Sequence, residues 1–160
     1  EKFIPPKKGR KHILYIIREL IDFQPESTGT NISLALEYMT NAIKKRCTTF
    51  LISDFVDGSD YKNALSIANR RHDLVAIQVY DRRETQLPDV GLIKLQDSER
   101  GCEQWVDSSS ANVRNRYAAW WNSRQEKMLA TLRKSRVDLA TIATNDDFVV
   151  ALMTLFKRRG

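Results

Sequence analysis

The sequence predicts an α/β domain built on a three-layer, Rossmann-like, mostly parallel sheet with helices on both faces and an antiparallel hairpin as an appendage. Three observations carry this. The run Thr48-Thr49-Phe50-Leu51-Ile52-Ser53 is short and rich in β-branched and aromatic residues. It lies between Lys44-Lys45-Arg46 and Asp57-Gly58-Ser59-Asp60, as a strand buried on both faces does. A helical pattern and a second run, Asp73–Tyr80, follow it, and strand, helix, strand implies parallel strands joined by a crossover. Finally, Leu92–Gln96 and Cys102–Val106 alternate on either side of Asp97-Ser98-Glu99-Arg100-Gly101, the pattern of a hairpin.

The remaining elements follow in chain order. Ile13, Leu14, Ile16, Ile17, Leu20 and Ile21 recur at three- and four-residue spacing, which predicts an amphipathic helix over 11–23 that stops before Pro25. A polar loop, 24–31, leads to a second helix with apolar positions Ile32, Ala35, Leu36, Met39 and Ile43, capped by Thr30 or Asn31. Ser59 or Asp60 caps a third helix carrying Tyr61, Ala64, Leu65 and Ala68, and Asp73–Tyr80 reads as a strand of mixed burial. A long helix over 112–134, capped by Ser110, presents Val113, Tyr117, Trp120, Trp121, Met128, Leu129 and Leu132. Val137–Ala143 is the last strand, and Thr144 with Asp147 forms a capping box for a helix over 148–157.

With 160 residues, 42% of them apolar and 29% charged, the chain is one globular domain, 1–160. No window approaches the roughly 18 apolar residues of a membrane span, so neither a span nor a signal segment is expected. Cys47 and Cys102 match no disulfide framework or zinc spacing, which points to a reducing compartment, the cytoplasm. The net charge of +6 is spread over Lys7-Lys8-Arg10-Lys11, Lys44-Lys45-Arg46, Arg70-Arg71 and Lys157-Arg158-Arg159. Three of these clusters are expected in the last turns of helices, where the dipole favours cations, and no aromatic residue is interleaved as a base-stacking platform. A basic nucleic-acid-binding module is a third reading, one that would lose affinity steeply with salt.

Catalytic templates mostly fail: there is no glycine-rich phosphate loop, no Gly-x-Ser-x-Gly elbow and no metal-spaced histidine pair. His12 and His72 belong to no acid, base and nucleophile set, and Trp105, Trp120 and Trp121 read as core or helix-packing residues. Asp54, Asp57 and Asp60 lack the ligand alternation and terminal Glu of a calcium loop. The informative residue is Asp54, delivered by a strand to the carboxyl edge of the sheet, where open α/β sheets bind ligands. The plainer reading makes it a loop residue that caps the next helix. Thr30, in a Gly-Thr-Asn loop that opens a helix, can converge with it, and such hard oxygen ligands suit magnesium or manganese. One hydroxyl and one carboxylate are too few to hold the ion alone.

In order along the chain, Ile4-Pro5-Pro6-Lys7-Lys8-Gly9-Arg10-Lys11-His12, Gly29-Thr30-Asn31-Ile32, Phe50-Leu51-Ile52-Ser53-Asp54-Phe55, Arg70-Arg71-His72-Asp73 and Leu87-Pro88-Asp89-Val90-Gly91 resemble a bacterial family of unknown biochemical function. The resemblance spans nearly the whole chain and implies a von Willebrand factor A-like domain encoded beside a MoxR-type AAA ATPase. A metal-ion-dependent adhesion site in such domains uses an Asp-x-Ser-x-Ser loop, a Thr and an Asp. Thr30 matches the second group and Asp54 the third, whereas neither Asp57–Tyr61 nor Asp107–Ala111 supplies the first. The resemblance thus implies that the first strands and the first ligand group precede Glu1, making this chain the C-terminal portion of the domain. It further implies a non-enzymatic interaction or scaffold role, with Mg²⁺ or Mn²⁺ bound in the intact domain and a MoxR-type ATPase as partner. The Thr48–Ser53 strand would then be an apolar edge able to pair with a second copy. A receiver-like phosphoacceptor role for Asp54 is the catalytic alternative, although no acidic pair precedes it and Ala143-Thr144-Asn145 lacks the required Lys.

Overall fold

The computed structural model describes residues 1–26, 29–96 and 103–160. Three parallel strands form the main sheet in the order β1 (Thr48–Ser53), β2 (Asp73–Tyr80), β5 (Asp138–Ala143). Thr48 pairs with Asp73 and Ser53 with Gln78, while Val75 pairs with Asp138 and Tyr80 with Ala143. A separate antiparallel pair joins β3 (Leu92–Gln96) to β4 (Glu103–Asp107), with Ile93 opposite Val106. The turn predicted over Asp97–Gly101, and Cys102, lie outside the described residues.

Helices cover both faces of the parallel sheet. On one face Leu51, Leu74, Ala76 and Leu139 meet α2 (Ile32–Ala42), α3 (Lys62–Arg71) and α4 (Ala111–Lys134) through Leu36, Leu65, Met128 and Leu132, which form the principal core. On the other, Val75 and Ala140 pack on Leu155 of α5 (Phe148–Arg159). The first helix, α1 (Arg10–Asp22), buries none of its residues.

Strand burial reverses the expected order. β2, predicted as mixed, has both neighbours in place, and Leu74, Val75, Ala76 and Gln78 are all buried. β1, predicted as buried on both faces, is an edge strand with Phe50 44% and Ile52 64% exposed, and α5 meets it through the edge-on contact of Phe156 with Phe50. Trp105 on the hairpin and Trp120 on α4 are likewise exposed, and of the three tryptophans only Trp121 enters the core.

The caps also need correction. Asn31 caps α2 as expected, its side chain accepting the Leu34 N–H at 2.8 Å. Ser110 occupies the cap position of α4 without a side-chain bond, and α5 is capped by Asp147 through the Val149 N–H, not by Thr144. Asp60 accepts the Lys62 N–H at the start of α3, where Tyr61 is the cap residue. Of the basic clusters, Arg70-Arg71 and Lys157–Arg159 do occupy last helical turns, but Lys44–Arg46 follow the end of α2.

Candidate functional site

The loop after β1 is built from side chains that bind their own backbone. Ser53 Oγ accepts the Phe55 N–H at 3.0 Å, and Asp54 Oδ1 accepts the Val56 N–H at 2.9 Å. Between them Phe55 takes φ +57°, a left-handed conformation that a bulky residue rarely adopts, with its ring buried against Tyr61. The turn swings the following segment toward α2 and α4. There Asp57 accepts two backbone N–H groups, from Ser59 and from Ile32, each at 2.7 Å.

The second of those bonds ties the loop carrying Asp54 to the loop carrying Thr30. Gly29, at φ +99°, turns the chain immediately before Thr30. Both sequence-predicted ligands therefore sit on segments pinned together at the carboxyl edge of β1. Three carboxylates cluster here without forming a cation cage, since Asp54, Asp57 and Asp60 each face nearby backbone donors. Among the described residues no group of three or more His, Cys, Asp or Glu is placed to hold a metal ion. Thr30 and Asp54 are hard oxygen donors on these two segments, the ligand type that divalent cations take.

Sequence reasoning missed the cation beside this edge. Arg124 of α4 places its guanidinium carbon 5.5 Å from the ring centroid of Trp120 and 5.3 Å from that of Trp121, and its Nη2 donates to the Asp54 carbonyl at 3.4 Å. The signal was present in the spacing: an arginine three and four residues after two tryptophans shares their helix face. The loop and α4 enclose a cavity of about 430 Å³ lined in part by Asp57, Asp60, Tyr61, Trp120, Arg124 and Lys127. Burial first, then the charge of Asp57, raises the pKa of the Tyr61 phenol above its ordinary value.

The histidines lie elsewhere. His72 is fully buried at the amino end of β2, with Nδ1 3.4 Å from Cys47 Sγ, a packed structural contact at the end of the sheet opposite the loop. His12 stacks on Tyr15 in α1.

A parallel α/β sheet with its polar loops at the carboxyl edge defines the general class. Within it, residues 1–127 match the model of a protein family of unknown function, DUF58, and the chain belongs to that family. It is 24% identical to an uncharacterized protein of Mycobacterium avium, over 98% of this chain and 93% of the relative. It is 26% identical to uncharacterized proteins of Mycobacterium bovis and Mycobacterium tuberculosis, over 98% of this chain and 50% of each. The chain thus spans about half the length of those two relatives. No solved structure matches it. Among the described residues, no helix is long and apolar enough to cross a membrane.

Proposed function

We propose that this chain is a non-enzymatic protein-interaction domain, the C-terminal part of a von Willebrand A-like fold acting in the cytoplasm with a MoxR-type ATPase. In this reading a partner's carboxylate completes the shell of a Mg²⁺ or Mn²⁺ ion held in the intact domain by Thr30, Asp54 and groups outside this chain. The observation that carries it is the 2.7 Å bond from the Ile32 N–H to Asp57, which fastens the Thr30 loop to the Asp54 loop. The hard, neutral-plus-anionic oxygen pair suits those cations.

Calorimetric titration with Mg²⁺ and Mn²⁺ tests the reading on this chain and on a version extended upstream. The expected result is binding by the longer protein, lost in Asp54→Ala and weakened in Thr30→Ala. Binding by neither leaves Asp54 as a turn residue and removes the metal from the interaction.

The exposed edge of β1 favours a second mode of interaction, strand addition by a second copy. That mode uses Phe50 and Ile52 and is independent of the metal.

A further inference from the structure

We propose that the cavity between the loop 55–61 and α4 receives a carboxylate of a peptide partner, with Arg124 as its principal donor and Lys127 as the second cation. The proposal rests on the interaction reading above but places the partner's acidic group on protein cations, not on a metal. Three features converge on it.

The first is charge that the fold leaves unpaired. Among the described residues, neither Arg124 nor Lys127 has a carboxylate within ion-pair distance, whereas Arg114 is paired with Asp89 and Arg159 with Asp138. The acids lining the same cavity do not neutralise them by contact: Asp57 uses both oxygens on the Ile32 and Ser59 N–H groups, and Asp60 accepts from the Lys62 N–H. The guanidinium lies over two indole rings, and the one hydrogen bond it makes among the described residues is the long one from Nη2 to the Asp54 carbonyl. Its remaining N–H donors are left for the fork-to-fork geometry that a carboxylate matches.

The second is location and shape. The cavity opens beside the carboxyl end of β1, where open α/β sheets place ligands, and about 430 Å³ suits one acidic side chain with its flanking peptide. Trp120, half exposed at its rim, offers a flat apolar wall to the neighbouring residue. The third is the loop's conformation. Phe55 holds a left-handed backbone angle under a buried ring, the sort of locally costly geometry that persists where surrounding structure enforces it. Asp57 and Asp60 on the wall also select the ligand's charge: they oppose a phosphate dianion more than a carboxylate monoanion.

The test uses the whole chain and NMR shifts of the Trp120 indole N–H and the Arg124 side-chain N–H. The probe is N-acetyl-glutamate N-methylamide; the glutamine analogue and inorganic phosphate serve as comparisons. Saturable shifts are expected with the glutamate probe, with the glutamine analogue and phosphate binding at least about tenfold more weakly. Arg124→Gln should abolish the response, and Arg124→Lys should weaken it because the fork is lost. Lys127→Gln, at an exposed position, should weaken binding about tenfold without disturbing the fold. Thr30→Ala, which weakens metal binding in the reading above and is not a lining residue of this cavity, should leave the probe's affinity unchanged, so the two ideas fail separately. Equal shifts with the glutamine analogue, tighter binding of phosphate, no saturable shift, or an undiminished response in Arg124→Gln overturns the proposal.

Discussion

Asp57 is the residue on which the loop geometry turns. Its carboxylate satisfies two backbone donors, one from its own loop and one 25 residues away in the chain, and so joins α2 to the end of β1. Further along the same loop lies Tyr61, buried, whose phenol is held above its ordinary range by burial and by the Asp57 charge; Tyr117 is raised in the same direction, by burial and then Glu84. A raised folded-state value means the native state binds the proton more tightly than the unfolded chain. This contribution to stability is complete below the unfolded value of about 10 and is lost as pH rises through the folded value. Titration followed by tyrosinate absorbance should therefore show two phenols ionising late, and Tyr61→Phe should remove one late step while flattening the alkaline fall in stability. Unchanged late ionisation in Tyr61→Phe would assign the shift to another phenol. None of this was legible in the sequence, because Asp57 reads there as one more polar loop residue. Its role depends on Ile32, which only the folded chain brings near.

At the scale of elements, helices were legible because their signal is local. The apolar spacing from Ile13 to Ile21 predicts 11–23 and the helix spans Arg10–Asp22; the spacing from Val113 to Leu132 predicts 112–134 and the helix spans Ala111–Lys134. Caps were legible only in part, since several adjacent residues can reach the same N–H groups and packing chooses among them. Asn31 accepts from Leu34, whereas Ser110 accepts nothing at the head of α4. Urea denaturation should thus separate two substitutions that look alike in sequence. Asn31→Ala should cost about 1 kcal/mol, and Ser110→Ala should stay within about 0.5 kcal/mol of the parent. Equal losses would show that the Ser110 hydroxyl caps α4 in solution. Strand burial was not legible, because β-branched runs such as Thr48–Ser53 and Asp73–Tyr80 read alike until neighbours are assigned.

For the molecule as a whole, the distribution of exposed apolar surface sets the expected behaviour. The outer side of β1 carries Phe50 and Ile52, and α5 continues the patch with Met153 and Phe156, joined through the Phe50–Phe156 contact. An unpaired strand edge bordered by such side chains supplies backbone donors and acceptors together with apolar area to bury. Charge along the strand favours one orientation: Lys44-Lys45-Arg46 precede it, while Asp54, Asp57 and Asp60 follow. Two copies running antiparallel would set each basic end against the other's acidic end, whereas parallel copies would oppose like charges. Sedimentation of the chain should accordingly show a dimer that dissociates on dilution and weakens in salt. Ile52→Lys should shift it to monomer with little change in melting temperature, since that side chain is already 64% exposed. Reversing a charge at the acidic end with Asp54→Lys would oppose cations across an antiparallel pair and should weaken association further at low salt. A chain that sediments as a monomer at every concentration would overturn pairing through β1, and a dimer indifferent to Ile52→Lys would place the contact on another face.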